Sequence, residues 1–106
     1  MDLTVNITTQ QDNSILGVIS GEIDAHTAPK LREQLLAIDT KSTNKAVLDL
    51  AGVGYMDSTG IGVIVAFYKS VIADGGELTL IGLSPRLKRL FDITGLSGII
   101  HVEEEA

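Results

Sequence analysis

Apolar and polar positions alternate at the start of the chain, where Leu3, Val5 and Ile7 are interleaved with Thr4, Asn6 and Thr8. That is the two-residue period of a half-buried strand. A polar turn, Gln11-Asp12-Asn13-Ser14, leads to a second apolar run of Ile15, Leu16, Val18, Ile19 and Ile23, so the spacing predicts an antiparallel hairpin. Gly17 and Gly21 leave room there for a bulge or for close packing. The period then changes. Thr27-Ala28-Pro29 places proline at the opening of a helix, and Ala28, Leu31, Leu35 and Ile38 fall on one helical face, with Lys30, Arg32, Glu33 and Gln34 turned to water.

A polar loop, Thr40 to Lys45, precedes Ala46-Val47-Leu48-Asp49-Leu50, a short apolar strand of the kind found at the centre of a parallel sheet. The glycine-rich stretch Gly52-Val53-Gly54-Tyr55-Met56 reads as a loop, and a helix follows from Ser58 or Thr59 to Ala73. This helix is apolar on more than one side. Ile61, Ile64, Val65, Tyr68 and Ile72 form one stripe, with Val63 and Phe67 beside it. Either a further layer covers Val63 and Phe67, or they belong to an exposed patch that binds a partner. Asp74-Gly75-Gly76 stops the helix, Glu77 to Ile81 supplies a strand, and Ser84-Pro85 opens a third helix with Leu87, Leu90, Phe91 and Thr94 inward and Arg86, Lys88 and Arg89 outward. Gly95 ends that helix, Ile99 to Val102 makes the last strand, and Glu103-Glu104-Glu105 reads as a solvated acidic end. The order β-β-α-β-α-β-α-β predicts one α/β domain over 1–106, a mixed, mostly parallel sheet with an antiparallel first strand and helices packed on it.

Composition narrows the function. Fourteen acidic against eight basic residues give a formal charge of −6, the wrong sign for a nucleic-acid footprint. With no cysteine, the chain has neither a disulfide framework nor thiol chemistry, which fits a reducing compartment; the cytoplasm is the expected location. The most apolar stretch is interrupted by Lys69 and Ser70 and falls short of the roughly 20 residues a membrane span requires. Asp2, Thr4 and Asn6 also stand where a signal peptide would be basic and then apolar.

The chemistry gathers at Asp57-Ser58-Thr59-Gly60, between a strand and a helix. The N–H groups of a first helical turn lack internal partners, and the helix dipole adds partial positive charge, so Ser58 or Thr59 can cap the helix and a phosphate can be tolerated there. Phosphorylation of Ser58 would add about 1.5 to 2 negative charges beside Asp57. Catalytic readings lack parts. The nucleophile elbow wants glycine two residues on each side of serine, and Met56 occupies one of those places; His26 and His101 have no spacing that brings them to Ser58. An aspartic-protease reading fails because two residues separate Asp57 from Gly60. The glycines at 52, 54, 60 and 62 lack the Gly-Lys-Ser/Thr ending of a P-loop. A phospho-aspartate receiver around Asp49 would need an acidic Mg²⁺ cluster, for which the first strand offers only Asp2, and the scattered acids and two histidines predict no metal site. Asp24 is the other acid at a strand-to-helix junction. If the second and third strands are neighbours, Asp24, Thr27, Asp57 and Ser58 emerge at one edge of the sheet; taken alone, Asp24 reads as a turn residue.

Three blocks carry a family resemblance. Val47-Leu48-Asp49-Leu50, Val53 and Met56-Asp57-Ser58-Thr59-Gly60-Ile61-Gly62-Val63-Ile64 resemble the signature of bacterial anti-sigma factor antagonists of the STAS domain family. Gly21 to Ala25 before a helix is similar to that family's second block, and Gly82-Leu83-Ser84 with Leu90-Phe91 to its third. The resemblance implies a partner-switching module with no catalysis and no cofactor of its own. Its unphosphorylated form binds an anti-sigma factor that is also a serine kinase, which frees the sigma factor; phosphorylation of Ser58 abolishes binding, and a PP2C-type phosphatase resets it. By the same resemblance Ser58 is the phospho-acceptor and Thr59 a secondary candidate. Asp57 then shapes recognition, and Asp24 is an interface acid. The expected docking surface comprises Asp24, Thr27, Asp57, Ser58, Thr59, Gly60, Val63 and Phe67. The alternative is a STAS scaffold that is not phosphorylated and binds a small ligand or a transporter or lipid-handling subunit.

Overall fold

The computed structural model describes residues 2–103; the predicted acidic end at Glu104 and Glu105 lies outside them. Two strands, β1 (Leu3–Thr9) and β2 (Ile15–Ile23), form the expected antiparallel hairpin. Its turn is closed by Asp12, whose carboxylate accepts the Ser14 N–H at 3.0 Å and the Ser14 hydroxyl at 2.6 Å. Helix α1 (Ala28–Leu36) leads to β3 (Lys45–Met56), α2 (Ser58–Ala73) to β4 (Glu77–Ile81), and α3 (Pro85–Ile93) to β5 (His101–Val102).

The strands lie in chain order, β1-β2-β3-β4-β5, with every pairing after the first parallel. Successive parallel crossovers are right-handed and advance in one direction, which puts the helices on one face of the sheet. Burial follows that rule. Ile15, Gly17 and Ile19 of β2 and Ala46, Leu48 and Leu50 of β3 are buried, while their neighbours Leu16, Val18, Val47, Asp49 and Ala51 are not. The core between this face and the helices is built on Ile19, Ile23, Leu31, Leu35, Leu48, Leu50, Ile64, Phe67, Leu80, Leu87, Phe91 and Ile100, each almost fully buried.

Several local expectations change. The stretch from Gly52 to Tyr55 is strand rather than loop, because β2 continues to pair with it: Ser20 is opposite Gly52, Gly21 opposite Val53 and Ile23 opposite Met56, across two register shifts. At Gly21 the hairpin requires glycine: it has φ +112, and a Cβ on it would lie 2.0 Å from the Asp2 carbonyl oxygen. The buried side of α2 is Gly60, Val63, Ile64, Phe67 and Val71, whereas Ile72 is exposed and Val65 and Tyr68 are half-buried. The predicted stripe was therefore rotated, because α2 packs at once against α1, β3 and β4. In a helix this rich in apolar residues, composition does not point to one side. Thr94 is an exposed C-cap, its hydroxyl donating to the Leu90 carbonyl at 3.0 Å, and the segment before the last strand is a 3₁₀ turn, Leu96–Gly98, leaving β5 with two residues.

Candidate functional site

The parallel pairing of β2 with β3 ends both strands at the same level. Ile23 is opposite Met56, and the Asp57 N–H donates to the Ile23 carbonyl at 3.2 Å. The next residues of the two strands, Asp24 and Asp57, consequently open neighbouring strand-to-helix junctions, as the topology predicted from the sequence requires.

At the first junction the side chains close on one another. One Asp24 carboxylate oxygen accepts the N–H of His26 at 2.9 Å and of Thr27 at 3.0 Å. The Thr27 hydroxyl accepts the Asp24 N–H at 3.0 Å and donates to the Glu22 carbonyl at 2.7 Å. The Ala28 N–H then donates to the Asp24 carbonyl at 2.8 Å, which starts α1. Donation from the Thr27 N–H outweighs the opposing effect of desolvation and, with a lesser contribution from the His26 N–H, holds the Asp24 carboxyl below the usual carboxylate range. This is the turn aspartate that the local sequence suggests, and it remains half-exposed.

The second junction is built differently. Asp57, in extended conformation, is the N-cap of α2: its carboxylate accepts the Thr59 N–H at 3.0 Å and, closely, the Thr59 hydroxyl, while its carbonyl accepts the Ile61 N–H at 3.1 Å. An aspartate two residues before the satisfied N–H is among the strongest caps. The cap is therefore Asp57 and not Ser58 or Thr59. Ser58 becomes the first helical residue, exposed, and no hydrogen bond of its hydroxyl is found among the described residues. Thr59 is exposed as well, but its hydroxyl is committed to Asp57.

Four other expected surface residues belong to the scaffold. Val63 and Phe67 are 5% and 0% exposed, so a layer of structure covers them and the expectation that they join a docking patch is corrected. Thr27 is 7% exposed, because its hydroxyl faces the backbone of its own turn. Gly60 is buried where a Cβ would come within 2.6 Å of Ile23 and 2.7 Å of Met56, so glycine lets the first turn of α2 sit directly on the strand ends. The surface that remains from the expected set is Asp24, Asp57, Ser58 and Thr59.

Chemically the arrangement offers a reachable hydroxyl, two carboxylates and the unsatisfied N–H groups of a helix N-terminus. No hydrogen-bonded base addresses Ser58, and no group of three metal-ligating side chains occurs, among the described residues. A cleft beside Met56 also opens near this junction; Arg86 and Arg89, which line it, read from the sequence alone as a solvated helix face.

Fold and site together define a small α/β domain whose exposed serine heads its central helix. The chain belongs to the STAS domain family, whose model matches residues 5–106. It is 46% identical over 103 residues to the anti-sigma-B factor antagonist of Listeria monocytogenes, spanning 97% of this chain and 90% of that protein. It is 44% identical over 106 residues to the anti-sigma-B factor antagonist of Bacillus subtilis, spanning 100% and 95%. Among solved structures, an anti-sigma factor antagonist from Mycobacterium paratuberculosis superimposes with a TM-score of 0.85 at 26% identity, covering 95% of this chain and 85% of that one. No described helix is long and apolar enough to cross a membrane.

Proposed function

We propose that this chain is an anti-sigma factor antagonist controlled by phosphorylation. In its unphosphorylated form it binds an anti-sigma factor with serine kinase activity and so frees a sigma factor. The kinase then transfers the γ-phosphoryl group of ATP to the Ser58 hydroxyl, binding is lost, and a PP2C-type phosphatase restores the active form. The chain is a ligand and a substrate in this cycle rather than a catalyst, and ATP-dependent control places it in the cytoplasm.

The observation that carries this reading is the division of labour at the head of α2. Asp57 does the capping, which leaves the Ser58 hydroxyl exposed and without an internal partner. The Thr59 hydroxyl, bound to Asp57, is the poorer acceptor. Near-full-length similarity to proteins named anti-sigma-B factor antagonists supports the choice of partner. The free N–H groups of the first turn favour a phosphate electrostatically, so the modification leaves the fold in place and acts through charge and bulk at the docking surface. Asp24 and Asp57 flank Ser58 as interface acids.

Incubation with ATP and the cognate kinase, followed by intact mass and fragmentation, tests this directly. One phosphate on Ser58, absent from Ser58→Ala, is the expected result. No phosphate, or phosphate on Thr59 alone, refutes it and leaves an unmodified STAS scaffold.

A further inference from the structure

Strand β4 pairs with β3 only as far as Asp49 opposite Ile81, so β3 runs on to Met56 without a strand on that side. There α3 comes alongside, leaving an open cleft of about 180 Å³ lined by Met56, Arg86, Leu87, Arg89, Leu90 and Ile93. Ile93 is 76% exposed, the most exposed large apolar side chain among the described residues. Residues 86, 89, 90 and 93 share one helical face by their spacing. The neighbouring Lys88 pairs with Asp92 at 3.5 Å. No ion pair to Arg86 or Arg89 is found among the described residues, although the chain carries six more acids than bases. Two exposed guanidinium groups thus frame an apolar slot on an acidic protein. Met56, which lines that slot, is followed immediately in the chain by Asp57 and Ser58, so the cleft adjoins the junction.

We propose that this cleft docks an acidic amphipathic segment of the anti-sigma partner. One apolar side chain of that segment enters between Met56, Leu90 and Ile93, and its flanking carboxylates meet Arg86 and Arg89, whose planar donors match carboxylates in pairs. The proposal rests on the functional reading above and adds to it a second contact, of opposite charge to the Asp24 and Asp57 junction. The two contacts together orient the partner over Ser58.

Calorimetric titration of the full chain with its cognate anti-sigma factor, at low and high salt, tests the slot. Arg86→Glu with Arg89→Glu is expected to weaken binding by about tenfold or more and to remove most of its salt dependence. Ile93→Ser, which leaves charge unchanged, is expected to weaken binding by about fivefold to tenfold. Lys41→Glu with Lys45→Glu makes the same change of net charge at the opposite end of β3 and is expected to stay within about twofold of the parent. Parental affinity in both the arginine and the Ile93 variants overturns the slot while leaving the Ser58 cycle intact. An unmodified parent that fails to bind overturns both. A parent that sediments as a dimer dispersed by Ile93→Ser assigns the cleft to a second copy and likewise overturns the proposal.

Discussion

The two strand-to-helix junctions at the end of β2 and β3 use the same residue types for opposite purposes. In both, an aspartate follows the strand and a threonine lies within the next three residues. Around Asp24 the threonine is turned inward, 7% exposed, and the Asp24 carboxylate and the Thr27 hydroxyl both bond the backbone of their own turn. Around Asp57 the threonine sits at the second helical position, outside, and the cap is complete without Ser58. The first junction is a fastener. The second is equally well capped but leaves an extra hydroxyl unengaged at the surface, and in the proposed cycle that one group is what distinguishes the modified junction from the merely stable one.

The sharpest break of this comparison is a charge at the reserve position. Ser58→Asp is expected to weaken binding of the anti-sigma factor by about 3 kcal/mol or more, on the scale of an unpaired charge forced into an interface. Thermal unfolding should be almost unaffected, because a carboxylate at a first helical turn is tolerated. Titration calorimetry and a melting curve together separate the two effects; equal loss in both would mean that Ser58 is structural.

Next come the two threonines, compared as a pair. Thr27→Val leaves the Asp24 N–H and the Glu22 carbonyl without their partner in a part-buried turn, an expected cost of about 1–3 kcal/mol. Thr59→Val removes one exposed bond to a carboxylate that keeps the Thr59 N–H, and is expected to cost about 0.5 kcal/mol or less. Chemical denaturation measures both, and equal costs would erase the distinction between fastener and reserve. Asp57→Ala falls between them, at about 1 kcal/mol for a lost N-cap. It should also reduce the rate at which the kinase modifies Ser58, read from the time course of intact mass.

The smallest effect is a pH dependence confined to the first junction. The Asp24 carboxyl is held below its ordinary value by the Thr27 and His26 N–H groups, so the folded state binds its proton less readily than the unfolded chain. Its contribution to stability is therefore fully present above the ordinary carboxylate value, about 3.9, and is lost as pH falls through the lower folded value. Asp24→Asn should flatten the acid limb of stability against pH in that window, followed by circular dichroism. A slope unchanged by the substitution would show that the turn does not depend on the ionised carboxylate.

Much of this architecture can be read along the chain. Alternation marks β1 and an apolar run after a polar turn marks β2, Pro29 and Pro85 mark the starts of α1 and α3, and Gly95 marks the end of the third helix; each signal acts within a few residues of where it stands. The junction motif was equally visible, and so was the possibility that Asp24 would lie near it. The role of each residue was less legible. Asp57, Ser58 and Thr59 are all acceptable caps, so local preference could not decide which of them the helix would use. Whether Val63 and Phe67 are covered or form a spare apolar patch stays open in a helix read alone, which shows no neighbours, and Arg86 and Arg89 read as an ordinary solvated face because Met56 lies thirty residues away.

By itself the sequence determined the order and kind of the elements, an acidic balance of the wrong sign for a nucleic-acid footprint, and the presence of a hydroxyl between Asp57 and Thr59 at the head of a helix. Those follow from backbone preferences, side-chain period and charge, which need no distant partner. The tertiary structure decided which side of α2 is buried, that β3 extends to Met56, and that Asp24 is brought beside Asp57 through the pairing of Ile23 with Met56. It also decided that Ser58 stays free. These outcomes depend on contacts between residues far apart in the chain, where several local solutions cost nearly the same and packing selects among them.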